Sequence, residues 1–468
     1  MPSYAIPDKV PRKCDKSSSG NDPIRSDFGL RSMILGRAKA LNRLTFAFCF
    51  PVAEGSTSIL SNFVSERQTT GLEVVMWMNQ PSPHQQHLSS ELLHRGANLT
   101  VVYVSRLRQE RKEIGWEVDA DNGPQTKFLT TRYSLWQALR LLLRYRQSIH
   151  VVNGIWAEPA LFVVLAFACL LKVPCCIYSE APASMVLPTW TSYLKRPLQY
   201  LIVRLLQKRV AGLLAISWLA ERAFAALGFP ESKMYRFGYF EKMPANKLDE
   251  AIPAALTTDI VYVGRLARGK GIELLIEAAA PLLRDDCQLR LRIVGGGALE
   301  PELRRLVSAF GLELQVVFTG VVPSRSVPGL LQGVLMLVLP SEADGWGIVV
   351  NQALQAGTPV IVSDSCGAAE LVANGVDGYV FRTGDAQNLS ACMRAIIDNS
   401  HPLRMRAMAE EAGLAASAER TAPYLLHCLE HMTGLRSDRP APQWILNHDP
   451  QPAQLSQDES VQEPRFAH

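Results

Sequence analysis

Short apolar runs that alternate with helix-like segments constrain this chain more than any other feature. In residues 43–240 the runs of strand length are RLTFAFCF, LEVVMWM, LTVVYV, IHVVNG, VPCCIYS and GLLAIS. Segments with helical periodicity lie between them, for example at 58–68 and 135–146. Continuous apolar strands separated by helices indicate a parallel sheet that is covered on both faces. This part of the chain therefore predicts an α/β domain.

A second series of the same kind fills residues 259–420. Its strand-like runs are DIVYVG, LRLRIVG, LQVVFTG, VLMLVLP, TPVIVSD and GYVF. Residues 241–258 show neither period and predict a hinge. The chain should therefore form two Rossmann-like, doubly wound α/β domains that face each other across a cleft. Ligands of such sheets bind beyond the carboxyl ends of the strands, so the cleft is the expected site.

The two ends of the chain differ from this pattern. Residues 421–434 are amphipathic and predict a helix that crosses back to the first domain. Residues 1–42 are polar and broken by proline, and residues 435–468 are rich in Pro, Gln, Asp and Ser. Such compositions favour disorder, so we expect a disordered lead and a disordered tail.

Composition narrows the possible classes of protein. The net charge of +4 is too small to argue for nucleic acid. Residues 43–240 carry 21 Lys and Arg against 13 Asp and Glu, which fits an anionic partner or, equally, a solvated basic face. The nine cysteines form no C-x-x-C pair and predict free thiols rather than disulfides or a zinc site. Without a secretory signal or an apolar run of membrane length, we predict a cytoplasmic protein.

The loop after the first strand of the second series carries two cations. A strand ends at Val263, Gly264 turns the chain, and Arg265 and Lys270 stand just before a helix that should begin near Ile272. Cations beside the free N–H groups of a helix N-terminus suit a diphosphate, although an ordinary solvated loop would read the same way. The spacing is not that of a Walker loop.

Two further loops are rich in glycine. Gly295, Gly296 and Gly297 follow the next strand, and they permit a close backbone approach or a sharp turn. The stretch ADGWGIVVNQALQAG places Asp344, Gly345, Trp346 and Gly347 before a helix that begins at Ile348 and Val349 and carries Gln352. Asp344 and Gln352 would bracket an anion-binding turn, with a sugar on one side and a ribose on the other.

These loops together resemble the retaining GT-B glycosyltransferases of family 4, across roughly residues 258–395. The resemblance implies transfer of a sugar from a nucleoside diphosphate sugar with retention, without a metal or other cofactor. It implies that Arg265 and Lys270 bind the donor diphosphate, and that Asp344 and Gln352 occupy the two glutamate positions of the family motif, beside the donor sugar and the ribose. Glu370 would lie near the same site, and Gly55 would lie in a loop near the donor phosphate or the acceptor.

The chain departs from the family at both motif positions. Asp344 is one methylene shorter than glutamate but keeps its charge, whereas Gln352 keeps the length and loses the charge. Losing one charge-assisted hydrogen bond costs roughly 1–2 kcal/mol of donor binding, about tenfold in affinity. The usual glycine pair after the first strand is reduced to Gly55 alone. Donor choice is expected to depend on the pocket around Trp346.

The first domain offers fewer signals. Glu180, in IYSEAPAS, is the acid expected in the cleft wall, with Asn153 and Glu158 behind it, although a surface or capping acid is an equal alternative. Residues 193–214 set Lys195, Arg196, Arg204, Lys208 and Arg209 among leucines, as in an interfacial helix. A lipid-linked acceptor at the inner face of the cytoplasmic membrane would fit, and so would an ordinary helix packed on the sheet.

Three functions remain open at this point. The favoured one is a glycosyltransferase of exopolysaccharide, lipopolysaccharide or other glycoconjugate assembly, acting on a sugar, lipid-linked sugar or other acceptor. Because both motif glutamates are replaced, a pseudo-enzyme that binds sugar nucleotides or scaffolds another transferase is the rival. A sugar-nucleotide epimerase is the third, and it would need first-domain acids and histidines that cannot be identified in the sequence.

Overall fold

The protein is described from a computed structural model. It covers residues 71–113, 115–118, 125–129, 134–156, 158–182, 185, 190–243, 256–445 and 450–455. The described part contains two parallel β-sheets with helices on their faces, which confirms the predicted pair of doubly wound domains.

The first sheet has seven strands in the order β3-β2-β1-β4-β5-β6-β7. They are β1 Glu73–Met78, β2 Asn98–Tyr103, β3 Gln125–Phe128, β4 Ile149–Asn153, β5 Cys175–Ser179, β6 Gly212–Ile216 and β7 Met234–Phe237. Five of the predicted runs form strands here, and the run at 43–50 lies outside the described residues. The edge strands β3 and β7 were missed because QTKF and MYRF are short and lack a continuous apolar run.

The second sheet has six strands in the order β10-β9-β8-β11-β12-β13, and all six were predicted. They are β8 Asp259–Val263, β9 Arg290–Val294, β10 Val316–Gly320, β11 Met336–Leu339, β12 Val360–Ser363 and β13 Gly378–Phe381. Every pairing is parallel, for example Ile260 with Leu291 and Leu337 with Val360. The central strands are buried along their length, which is why they read as unbroken apolar runs.

Helices cover both faces of each sheet. The α-helices around the first sheet are Pro83–His94, Gln109–Glu113, Ser134–Arg144, Pro159–Leu170, Trp190–Leu206 and Ser217–Ala226. Those around the second sheet are Ile272–Asp285, Glu300–Ala309, Val327–Leu331, Val349–Gln355, Ala386–Ile397 and Pro402–Ala415. A last helix, Ala418–Thr433, packs against Pro83–His94 beside the first sheet.

The prediction of disorder after residue 434 is wrong for the described residues 435–445 and 450–455. Trp444 is buried, and its ring centroid lies 4.7 Å from that of Phe240 and 4.8 Å from that of Tyr424. Further along, the backbone N–H of Ala453 donates to the carbonyl of Val380. The prediction from composition failed here because one large aromatic side chain, that of Trp444, buries enough apolar area to order a polar segment.

The helix Trp190–Leu206 has an apolar outer surface. Its inner face packs on the first sheet through the buried side chains of Val203 and Leu206. Four leucines on its outer face are exposed, namely Leu194, Leu198, Leu201 and Leu205. Their spacing of four, three and four residues places them on one stripe of the helix. None of the helices in the described ranges is long and apolar enough to span a membrane.

Candidate functional site

A cavity of about 530 Å³ opens where the carboxyl ends of the two sheets face each other. The predicted residues that line it are Asn153, Glu180, Gly264, Arg265, Lys270, Gly295, Gly296, Asp344, Trp346, Gly347, Ile348, Val349 and Gln352. They come from loops that follow five strands of the two sheets. Most of the residues singled out by the sequence therefore lie around one cavity.

On the side of the second sheet, the bottom of the cavity is formed by glycine backbone that packs too closely to leave room for side chains. Gly295 has a φ of +136°, and a Cβ added there would lie 1.8 Å from the carbonyl oxygen of Gly264. Gly297 is held in the same way against Leu266. These glycines therefore bring two loops of the protein together, and the loop of Arg265 and Lys270 rests on that contact.

Lys270 and Asp344 form an ion pair inside the cavity. The Lys270 Nζ lies 2.6 Å from Asp344 Oδ2, and Asp344 Oδ1 accepts from the backbone N–H of Trp346 at 3.4 Å. Both side chains are partly exposed to the cavity. Arg265 is exposed beside them. Two cations and one carboxylate at this point can bind an anion whose other end carries hydroxyl groups.

The Trp346 indole packs where the two halves of the molecule meet, and Trp346 is also among the residues that line the cavity. It is buried, its Nε1–H donates to Asn351 at 2.8 Å, and its ring packs on Phe240. The ring also lies so close to Gly238 that a Cβ there would be 2.2 Å from it. The indole thus joins the two halves of the molecule, and the dependence of donor choice on the pocket around Trp346 stays a prediction.

Gln352 bonds a carboxylate that the sequence analysis did not consider. Its Nε2 donates to Glu241 Oε2 at 2.8 Å, and Glu241 Oε1 lies 2.6 Å from His84 Nδ1. Burial acts to raise the pKa of Glu241, but the bonds from His84 and Gln352 outweigh it and lower that pKa. Glu241 is therefore ionised at neutral pH. His84 and Gln352 line the cavity, and Glu241 lies behind them.

Glu180 faces the cavity from the end of β5. The Tyr239 hydroxyl donates to its Oε1 at 2.7 Å, and a Cβ on Gly345 would lie 2.3 Å from Oε2. Although the side chain faces the open cleft, enclosure by the two halves desolvates the carboxyl and raises its pKa. The Asp344 charge adds to this rise, and the Tyr239 hydrogen bond opposes it.

Four predicted residues lie apart from the cavity or outside the structure. Glu370 is buried at the junction of the halves, where it accepts from the backbone N–H of Trp218 at 2.9 Å, and its burial raises its pKa to about 8. It is not among the residues that line the cavity, near which it was expected. The backbone of Gly345 packs against Glu180, Glu158 pairs with Arg108 at a smaller adjoining cavity, and Gly55 lies outside the described residues.

Sequence reasoning missed several residues of the first sheet. The cavity is also lined by Asn79, His84, Arg111, Trp116 and Tyr239. The loop that enters it after β1 is 79–82, so the described first-sheet loop at this position does not contain Gly55. The run SPHQQH offered one signal, because Pro83 suits the first turn of a helix, and the helix Pro83–His94 begins there. No cluster of metal-ligating side chains occurs within the described ranges.

Comparison with known proteins finds relatives for the second half of the chain. Residues 254–414 match the family described as glycosyl transferases group 1. The alpha-D-kanosaminyltransferase of Streptomyces kanamyceticus is 32% identical over 160 residues, which are 34% of this chain and 41% of that protein. The amylovoran biosynthesis glycosyltransferase of Erwinia amylovora is 30% identical over 189 residues, 39% of this chain and 46% of that protein. The chain thus spans less than half the length of these relatives.

Solved structures match a larger share of the fold. Anabaena HepE in complex with UDP covers 77% of this chain and 100% of its own, with a TM-score of 0.62 and 16% sequence identity. The lipopolysaccharide outer core galactosyltransferase WaaB covers 76% and 99%, with a TM-score of 0.56 and 14% identity. Identities this low establish the fold alone. The chain therefore has the GT-B fold, and its residues 254–414 are similar to the family described as glycosyl transferases group 1.

Proposed function

We propose that this protein is a glycosyltransferase that moves a sugar from a nucleoside diphosphate sugar to an acceptor with retention. The observation that carries the proposal is the convergence of Arg265, Lys270, Asp344 and Gln352 on one cavity, opposite Glu180. The first four belong to the segment that matches the family, and Glu180 belongs to the other half of the fold. The cleft thus has a side for the donor and a side for the acceptor.

The donor side supplies charge for a diphosphate. Lys270 would exchange its present partner, Asp344, for the diphosphate oxygens, and Arg265 would bind the same group from the other side of the loop. Asp344, released from Lys270, would accept hydrogen bonds from hydroxyls of the donor sugar. Fixed cations aimed at the charge that develops on a leaving diphosphate lower the barrier to its departure. These two cations are the basis for proposing that the reaction needs no metal ion or other cofactor.

The proposed reaction breaks two bonds and forms two, and retention requires that the new bond to the anomeric carbon forms on the face from which the diphosphate leaves. The bond between the anomeric carbon and the diphosphate oxygen breaks, and its electron pair leaves with the diphosphate. The acceptor hydroxyl oxygen forms the new bond to that carbon, and its proton passes to Glu180. The raised pKa of Glu180 makes it a better base once ionised, and the Tyr239 hydroxyl holds its other oxygen. Asn153 lies on the same wall and would contact the acceptor.

The biological setting follows from the names of the relatives. The Erwinia relative acts in amylovoran biosynthesis, and WaaB is an outer core galactosyltransferase of lipopolysaccharide. Because HepE has been seen with UDP, UDP is the first nucleotide to test. We propose assembly of an exopolysaccharide, lipopolysaccharide or similar glycoconjugate in the cytoplasm, with a sugar or lipid-linked sugar as the acceptor.

The exposed leucine stripe supports a peripheral contact with an anionic membrane. The basic side chains of Lys195, Arg204, Lys208 and Arg209 are exposed on or just after the same helix. Apolar side chains flanked by cations are typical of helices that lie in the interface of anionic lipids. Replacing Leu198 and Leu201 by serine should reduce sedimentation with anionic vesicles, whereas Leu314→Ser, at another exposed leucine, should not. Equal sedimentation of both variants would remove the membrane from the proposal.

The first experiment is a calorimetric titration of UDP, GDP and ADP and their sugars into the full chain, without metal. We expect one nucleotide to bind, the Lys270→Ala variant to lose most of that affinity, and slow hydrolysis of the matching sugar nucleotide. Binding without hydrolysis or transfer would favour the non-catalytic scaffold instead. No binding of any nucleotide at millimolar concentration would overturn the proposed function.

A further inference from the structure

We propose that Glu241 supplies the negative charge that Gln352 lacks, so that the Gln352–Glu241 pair does the work of a single motif glutamate toward the hydroxyls of the nucleotide. This inference rests on the proposed function. It concerns one residue from the hinge and one from the second sheet, 111 positions apart. The two side chains meet because the chain crosses between the halves at Glu241.

The contact fixes which end of the Gln352 amide faces the ligand. An ionised carboxylate only accepts hydrogen bonds, so the amide nitrogen must point to Glu241 Oε2, at 2.8 Å. The carbonyl oxygen of Gln352 is then the end left for the cavity that this residue lines. A carbonyl oxygen accepts from a ribose hydroxyl, as a glutamate would at this position. The amide oxygen also becomes a stronger acceptor when its N–H donates to a carboxylate.

Glu241 is held in place from both sides of the cleft. Its second carboxylate oxygen meets His84 Nδ1 at 2.6 Å, and its backbone carbonyl accepts from Gln355 Nε2 at 3.2 Å and from the N–H of Ala418 at 2.9 Å. The residue as a whole is only 6% exposed. Because these partners hold the buried carboxylate in one orientation, the carboxylate in turn fixes the orientation of the Gln352 amide.

Because of this arrangement, replacing Gln352 by the glutamate of the family motif should weaken nucleotide binding, not strengthen it. A glutamate at position 352 would place a second carboxylate in contact with Glu241, out of reach of most solvent. Two carboxylates in one buried site repel each other, and one of them must take up a proton. In this chain the motif glutamate should therefore weaken nucleotide binding unless position 241 is changed to glutamine as well.

The test uses the full chain and four proteins, with UDP as the probe. They are the wild type, Gln352→Glu, Glu241→Gln and the double exchange of both residues. We expect each single variant to bind UDP at least about tenfold more weakly by calorimetry, and the double exchange to recover to within about threefold of the wild type. His84→Gln is a matched variant, since it removes a partner of Glu241 and leaves the charge in place. It should lose less affinity than Glu241→Gln.

Two outcomes would overturn the inference. One is a Gln352→Glu protein that binds UDP as tightly as the wild type, and the other is a double exchange that is no better than the single variants. The melting temperature without nucleotide distinguishes a role in binding from a purely structural role of the pair. Variants that lower the melting temperature equally, while their UDP affinities stay equal, would show that the pair only joins the two halves. If the wild type itself binds no nucleotide, the proposed function fails first, and the failure is visible before any variant is made.

Discussion

The two sides of the cleft are built in different ways. On the side of the second sheet, Arg265, Lys270 and Asp344 come from two loops whose course is dictated by glycines and by the ends of buried strands, and Gln352 comes from the helix Val349–Gln355 that follows the second loop. On the side of the first sheet, the cavity is lined by single side chains from distant segments, such as His84, Arg111, Glu180 and Tyr239. In the first arrangement the closely packed backbone of the loops positions the side chains, and in the second the side chains are positioned by contacts with one another.

This difference explains how much sequence variation each side of the cleft can tolerate. A backbone-built anion site keeps its form in many sequences, and it leaves short motifs that can be recognised. A wall of single side chains varies freely from chain to chain, which suits a surface that must fit one particular acceptor. The predictions below separate the two kinds of construction, from the largest expected effect to the smallest.

The largest effect is expected at the glycine contact under the Arg265 loop. Gly295→Ala places a Cβ 1.8 Å from the Gly264 carbonyl oxygen at a φ of +136°, so the two loops cannot both keep their positions. We expect a loss of more than about 3 kcal/mol of unfolding free energy, or an insoluble protein. Chemical denaturation measures it. Gly329→Ala, where no atom lies within 4 Å, is the control and should be close to neutral.

The next largest effect is expected at Glu180, and it tests the side of the cleft that is lined by single side chains of the first sheet. Glu180→Gln keeps the shape and the Tyr239 contact but removes the base, so turnover with an acceptor should fall about 100-fold, while UDP affinity stays within about twofold. In the wild type the acid limb of the pH–rate profile should lie above the range of an ordinary carboxyl, because the Glu180 pKa is raised. An unchanged turnover number would remove Glu180 from the reaction and leave it a residue of the cleft wall.

Lys270 tests the backbone-built side. Lys270→Ala removes a cation from the anion site and leaves Asp344 without its partner, so UDP binding should weaken by about 2 kcal/mol, roughly 30-fold. Arg268→Ala is the matched control, since Arg268 is an exposed cation of the same loop that does not line the cavity. Equal losses in the two variants would mean that only the general positive charge of the loop matters.

The smallest effect, when counted per pH unit, concerns Glu370, which belongs to neither side of the cleft. Its pKa of about 8 lies above that of an unfolded glutamate, so the folded protein keeps this proton between about pH 4.5 and 8 while the unfolded chain loses it. Unfolding free energy should therefore fall as pH rises through that window, by up to about 1.4 kcal/mol per pH unit from this group. Arg236 lies 3.7 Å away and opposes the rise in pKa, whereas the Glu221 charge adds to it.

Glu370→Gln should flatten this dependence, because the amide oxygen can still accept from the Trp218 N–H and no longer titrates. Denaturation at pH 5.5, 7.0 and 8.0 measures the slope. Glu277→Gln, an exposed carboxyl on the helix Ile272–Asp285, should follow the wild type. If the two variants show the same slope, the buried carboxyl does not keep its proton in the folded protein.

The sequence predicted the second sheet and its loops well because their determinants are local. Six apolar runs became six strands, and the loops that carry Lys270 and Asp344 meet at the ends of those strands. It failed where the cause lies far along the chain. Nothing near Gln352 indicates Glu241, and nothing near residue 444 indicates that Phe240 and Tyr424 will receive its indole. The edge strands β3 and β7 were missed for a different reason, since four-residue edges lack an apolar run.

The chain passes between the halves twice, once at Glu241 and again at the helix Ala418–Thr433, whose first N–H donates to the Glu241 carbonyl. Two chain crossings that lie side by side define a single hinge axis between the halves. They leave one easy motion, a swing of one half about the line through them, and resist both separation and sliding. Any opening of the cleft then moves its rim farthest, at the end away from Glu241. The entrance for large substrates should accordingly lie at that rim.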